Sequence, residues 1–202
     1  TQKTVTENLD KLKITKIGFQ NWIGKRSFNM FEVIKKGLET SLQDYPGRVG
    51  FLNQGFPPSG PMDSWSFRLA NLLVGNKVEE AALECQYTGP SLKFESDHVI
   101  AICGGDMQPK IDGTAVPLWE SILIKKGQTL ELSFCLTGAR TYIAFSGSIQ
   151  SELWLGSKST FHKAAVGGID GRAIQEGQKI SLGISNGKIG KKVINTYLMS
   201  HI

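Results

Sequence analysis

A mainly β fold, closed or nearly closed into a barrel and carrying one or two short helices, is what this 202-residue sequence predicts. Two observations carry that expectation. From Phe31 onward, ten short apolar or alternating runs follow one another: FEVIK, VGFLN, LECQY, SLKF, HVIAIC, PKID, SILIK, TLELSF, RTYIAF and KISLG. Gly, Pro, Asp or Asn separate them, the punctuation of strands and tight turns. Against these runs stands one clear helical stripe, too little to cover the faces of a layered α/β sheet, so closure of the sheet is the expected answer to its edges.

Taken in order, residues 1–29 differ from the rest of the chain. Thr4 and Glu7 have capping-box spacing and Val5, Leu9 and Leu12 form an apolar stripe, which predicts a helix of about three turns. An irregular stretch, IGFQNWIGKRSFN, comes next, with Trp22 and Phe28 as its anchors. Residues 30–184 then form the β unit, and 185–202 a polar, Gly-rich and basic extension.

The densest segment is Ser41 to Asn76. QDYPGR sets Gln43, Asp44 and Arg48 around a Pro46-Gly47 turn, where Pro presets φ and Gly supplies a conformation other residues resist. PPSGPMD then approaches in extended form through Pro57 and Pro58, turns at Ser59-Gly60-Pro61 and reaches Asp63. A helix comes after it: Trp65, Leu69, Leu72 and Leu73 share one stripe, Asp63 or Ser64 is the N-cap, and Gly75 is the stop. Backbone N–H groups at such a start favour an anion or a polarised carbonyl, so the segment reads either as a ligand site or as an ordinary capped helix.

Composition narrows the function classes. The net charge is +5, with basic residues gathered toward both ends, and no interleaving of aromatic and basic residues suggests a nucleic-acid platform. No apolar run approaches the ~18 residues of a membrane span, and the start of the chain lacks a secretory hydrophobic region, so a cytoplasmic location is expected. Cys85, Cys103 and Cys135 are odd in number and lie in apolar runs, as reduced core thiols rather than zinc ligands or a disulfide framework. His98, His162 and His201 share no motif, and no G-x-S-x-G, H-E-x-x-H or Ser-x-x-Lys pattern occurs. Metal chemistry is not expected.

Other residues allow two readings each. Glu84 enters a strand as a surface carboxylate or as part of a site lining. Gly104-Gly105 ends HVIAIC, permitting either close approach to a ligand or a simple turn. The glycine-rich GGIDGR at 167–172 lacks the strand-loop-helix context of a nucleotide loop.

QDYPGRVG, GFPPSGPMDSWSFRLANLLVGN and AALECQYTGPSLKF, continued by IAICGGDMQPKIDGTAVPLWESILIKKGQTLEL, GARTYIAFSG, LGSKSTF and GGIDGRAI, resemble in order the carboxyltransferase region of biotin-dependent urea carboxylase. That region lies within the wider allophanate hydrolase subunit 2 family. The resemblance covers about residues 31 to 182 and implies a cyclophilin-like β-barrel half. It further implies a preceding domain for which residues 1–29 are tail and linker, and a second half beyond 185–202 that completes the active site. Ser146-Gly147-Ser148 stands where the family has a glycine pair.

The implied chemistry is transfer of a carboxyl group from N-carboxybiotin to urea, giving allophanate. Biotin would sit on a separate carrier domain, and ATP would be used by a separate biotin carboxylase domain. Such a transfer needs acceptors for urea N–H, donors for its carbonyl and a cation for the carboxylate. Asp44 and Asp63 are the candidate acceptors and Gln43 the amide donor. Arg48 either holds the carboxylate or pairs with Asp44 across the turn. Ser59, Gly60 and the amides near Ser64 would form an oxyanion pocket, with Gly104 and Gly105 close by. The same resemblance leaves open the C-type subunit of an ATP-dependent 5-oxoprolinase and a noncatalytic partner-binding module.

Overall fold

The structure, a computed structural model, describes residues 29–185. The helix expected within residues 1–29 and nearly all of the 185–202 extension lie outside that range. The strands are β1 (Met30–Lys35), β2 (Glu39–Gln43), β3 (Ala82–Gln86), β4 (Ser91–Phe94), β5 (His98–Asp106), β6 (Lys110–Ile111), β7 (Thr114–Ala115), β8 (Ser121–Ile124), β9 (Thr129–Glu131), β10 (Thr137–Phe145) and β11 (Lys179–Ser181). A single α-helix among the described residues, α1 (Ser64–Leu73), lies between β2 and β3.

These strands do not close into a barrel. They form two antiparallel sheets, one ordered β11-β1-β4-β9-β6-β7 and the other β2-β3-β10-β5-β8. The reason is visible in β5 and β10, which are buried on both faces along most of their length and so require a cover on each side. Phe31, Leu92, Phe94, Ile100, Ile102, Ile143 and Phe145 fill the space between the sheets. On the other face of the five-stranded sheet, α1 packs Phe67, Ala70 and Leu73 against Ala82, Ala101, Cys103, Tyr142 and Ala144. The result is three layers: helix, sheet, sheet.

Two local expectations are corrected. VGFLN is no strand: Leu52–Gln54 is a single 3-10 turn with no buried residue. The strand in that part of the chain is ETSLQ, whose Thr40 and Gln43 are buried despite being polar. The buried face of α1 is also turned from the expected stripe. Trp65 and Leu72 point outward, 43% and 48% exposed, while Ser66, Phe67, Ala70, Asn71 and Leu73 face in. Small side chains let the helix approach Ala101 and Ala144 closely, and this outweighs burial of the largest apolar groups.

Candidate functional site

Strand alternation sorts the five-stranded sheet into an apolar inner face and an outer face that becomes polar beside the start of α1. Register places Ser41 opposite Glu84, Glu84 opposite Tyr142, and Tyr142 opposite Cys103, a row crossing four strands. Arg140 and Gln43, two residues along from Tyr142 and Ser41, belong to the same face.

At the centre of this face, the Tyr142 hydroxyl donates to Glu84 Oε2 at 2.9 Å and accepts from the Asp63 amide at 2.7 Å. Glu84 Oε2 also accepts from the Met62 amide at 2.7 Å. Burial, then the neighbouring Glu84 carboxylate, push the Tyr142 phenol up, so it stays a neutral donor. Arg140 Nε lies 3.4 Å from Glu84 Oε1 as an ion pair without hydrogen-bond alignment. Glu84 therefore ties the residues before the helix to β10.

Asp63 is the N-cap of α1. Its Oδ1 accepts from the Trp65 and Ser66 amides, each at 3.0 Å, and Oδ2 from the Ser66 hydroxyl. The amides of Met62, Asp63, Trp65 and Ser66 are thus all bound within the protein. Oδ2 keeps room for a further donor. Asp63, Ser66, Gly104, Gly105, Trp119 and Arg140 line a cleft of about 520 Å³. A Cβ at Gly104, where φ is +100°, would meet the Arg140 carbonyl at 2.5 Å, so glycine is needed there for strand packing.

Gln43, Ser59 and Gly60 line a second groove, of about 420 Å³, with Thr160, His162 and Lys163. Gln43 Oε1 accepts from the Gly60 amide at 3.1 Å, and its Nε2 donates to Ser41 Oγ at 2.9 Å. The Gly60 amide is therefore also taken. The two prolyl turns interlock: the Arg48 amide donates to the Pro58 carbonyl at 2.6 Å, and a Cβ at Gly47 would meet that same oxygen at 2.4 Å.

Asp44 and Arg48 line neither space. The Asp44 carboxylate accepts from Ser157 Oγ at 2.6 Å, from the Lys158 amide at 2.7 Å and from Ser159 Oγ. Arg48 is fully buried; Nη2 donates to the Ser159 carbonyl at 2.8 Å and Nε to that of Trp154 at 3.3 Å, with the guanidinium 4.6 Å from the Trp154 ring. Ion pairs within 4 Å among the described residues do not include Arg48 with Asp44. Burial lowers the Arg48 pKa and the Asp44 charge partly offsets this, leaving an arginine that remains charged. Both residues latch the QDYPGR turn to the Trp154–Thr160 segment.

Of the residues expected from sequence, Asp63, Gly104 and Gly105 meet in one cleft, Ser64 is exposed beside it, and Gln43, Ser59 and Gly60 lie in the adjoining groove. Arg140, Tyr142 and Trp119 were not expected. The period-two spacing of Arg140 and Tyr142 in RTYIAF was the available signal, a polar pair on one face of a strand otherwise apolar. Among the described residues, no three His, Cys, Asp or Glu side chains are grouped to hold a metal ion, and no helix is long and apolar enough to cross a membrane.

A helix-covered β sandwich with a small polar cleft at the helix start is a scaffold for a small-molecule site, and comparison supplies the lineage. The family described as carboxyltransferase domain, subdomain A and B, matches residues 54–199, and the chain belongs to it. Urea amidolyase of Saccharomyces cerevisiae is 44% identical over 151 residues, which are 75% of this chain and 8% of that protein. The C-type subunit of 5-oxoprolinase from Escherichia coli K12 is 35% identical over 156 residues, 77% of this chain and 50% of that protein. The crystal structure of Kluyveromyces lactis urea carboxylase superposes with a TM-score of 0.75 at 38% identity, covering 82% of this chain and 15% of that one. The chain thus spans a small part of the yeast relatives and half of the bacterial one.

Proposed function

We propose that this chain is part of the carboxyltransferase component of a urea carboxylase, serving the transfer of a carboxyl group to urea to give allophanate. The observation that carries this reading is the cleft beside α1, where a carboxylate, a guanidinium and an aromatic wall meet on a scaffold similar to that of a urea carboxylase. Biotin on a carrier domain would supply the carboxyl in activated form, after loading by an ATP-using biotin carboxylase domain.

The residues present suit a planar ureido group. The cleft has small-molecule dimensions, Trp119 offers a flat face, and Gly104 and Gly105 keep side chains out of the floor. Asp63 Oδ2 accepts an N–H of urea and orients its nitrogen. Gln43, Ser59 and Gly60 shape the adjoining groove, while Asp44 and Arg48 hold its rim by anchoring the Trp154–Thr160 segment. Positioning and exclusion of water are the chain's contribution. A second half of the carboxyltransferase domain completes the enclosure in this reading.

The 35% identity to the bacterial 5-oxoprolinase component supports a second reading, a subunit of an ATP-dependent lactam hydrolase. One experiment separates them: ATP hydrolysis by the whole gene product, stimulated by urea or by 5-oxoproline, with and without avidin. Urea stimulation abolished by avidin supports carboxyl transfer. Stimulation by 5-oxoproline that is insensitive to avidin overturns it in favour of the second reading, and no response to urea also removes the first.

A further inference from the structure

Arg140 differs from the other charged groups around the cleft. Asp63 is engaged in capping, Glu84 receives the Met62 amide and the Tyr142 hydroxyl, and Arg48 is enclosed elsewhere. Arg140 lines the cleft with its side chain 20% exposed, and its one polar side-chain contact among the described residues is the ion pair from Nε to Glu84 Oε1. Its other two guanidinium nitrogens make no hydrogen bond to the described residues. A guanidinium whose Nε lies beside one carboxylate still has its two terminal nitrogens as a parallel fork, the geometry that binds a second carboxylate through two hydrogen bonds.

We propose that Arg140 is the carboxylate-binding residue of this cleft and that Glu84 is the positioning residue that sets its angle. The ligand class comes from the pairing of groups. A cation and the open acceptor position of Asp63 share one cleft of about 520 Å³, walled by Trp119. They suit a small planar molecule that carries a carboxylate at one end and amide or ureido N–H groups at the other. Glu84 is well fixed for its role. Two donors hold its Oε2 at 2.7 and 2.9 Å, which leaves Oε1 toward Arg140. The cross-strand register that sets Glu84 opposite Tyr142 fixes the distance between them.

This inference deepens the carboxyltransferase reading and rests on it for the identity of the natural ligand, while its test does not depend on turnover. The probes are ureidoacetate, which joins a ureido group to a carboxylate, and the uncharged ureidoacetamide. Binding of both to the whole gene product is measured by calorimetry. The wild type is expected to prefer the carboxylate by about tenfold or more, the worth of a charge-assisted pair. Arg140→Gln abolishes the preference and Arg140→Lys restores part of it. The ratio of two ligands is insensitive to a general loss of folded protein. Glu84→Gln lowers the preference in the wild type and adds no further loss in the Arg140→Gln background, because Glu84 acts through Arg140.

An unchanged preference in a folded Arg140→Gln variant overturns the assignment, as does a wild type with no preference. Losses from Glu84 and Arg140 that simply add refute the positioning role. Urea-stimulated ATP hydrolysis in the same preparation tests the broader reading separately. Arg140-dependent binding without stimulation keeps the site and removes urea carboxylation; stimulation without Arg140 dependence does the reverse.

Discussion

Replacing Tyr142 by Phe removes one oxygen and leaves the ring, which packs edge-on against Phe67 with centroids 5.8 Å apart at 89°. No cavity of consequence forms, so the change isolates two polar bonds. The Asp63 amide loses its acceptor at 2.7 Å, and the Glu84 carboxylate loses one of its two donors on Oε2. A neutral bond contributes about 1 kcal/mol and one to a charged group about 2 kcal/mol, for a total of about 3 kcal/mol. One bond joins β10 to Asp63 before α1, and the other holds the Glu84 carboxylate that receives the Met62 amide, so the loss should appear as local opening of that junction.

Hydrogen exchange read by mass spectrometry on the whole gene product measures this directly. Amides of Met62 to Phe67 are expected to exchange about 100-fold faster in Tyr142→Phe, the equivalent of about 3 kcal/mol. Amides of β1 and β4, in the other sheet, should be unaffected. Exchange at Met62 and Asp63 within about twofold of wild type would refute the role given to this hydroxyl.

Asp44→Ala leaves the Ser157 hydroxyl and the Lys158 amide without their acceptor, and leaves the Ser159 hydroxyl only the carbonyl of residue 44 at 3.3 Å. It is expected to cost about 3 kcal/mol and to expose residues 154–172 to limited proteolysis; a protease-resistant but inactive variant would instead put Asp44 in the chemistry. Gly104→Ala drives a Cβ to 2.5 Å from the Arg140 carbonyl at a φ of +100°, and should cost about 2 kcal/mol or more, seen as a lowered temperature of thermal inactivation. His98 is buried and its Nε2 bonds the Ser146 carbonyl at 2.7 Å. Burial depresses its pKa below the ordinary 6.5, with the carbonyl opposing the shift. Because the unfolded chain takes up the proton first, the stability it contributes is present above pH 6.5 and lost as pH falls toward the depressed value. Unfolding midpoints measured across that window should flatten in His98→Gln.

Most strands were legible because Gly, Pro, Asp or Asn punctuates short apolar or alternating runs. ETSLQ escaped because three of its five residues, Thr40, Ser41 and Gln43, are polar yet buried, and Ser41 and Gln43 satisfy each other along the strand face. The extent and cap of α1 were legible in Asp63 and Gly75, while its rotation was not. Rotation depends on Ala101, Ala144 and Tyr142, which come from distant strands. The Glu84–Tyr142–Arg140 cluster leaves only a partial trace in sequence, the polar pair Arg140 and Tyr142 at period two and the carboxylate of Glu84, for a similar reason. Residues 58 positions apart meet only once β3 and β10 have chosen their register.

QDYPGR and LGSKST sit more than a hundred residues apart, and their charged and hydroxyl groups meet each other: Asp44 with Ser157 and Ser159, Arg48 with the Ser159 carbonyl. Those motifs therefore hold the scaffold together. In the proposed reading, substrate choice lies with groups that keep a free valence toward the cleft. Here those are the guanidinium of Arg140, the second oxygen of Asp63 and the face of Trp119. Replacing Arg140, Asp63 and Trp119 should alter ligand preference without unfolding the chain, whereas replacing the latch residues Asp44 and Arg48 should do the opposite.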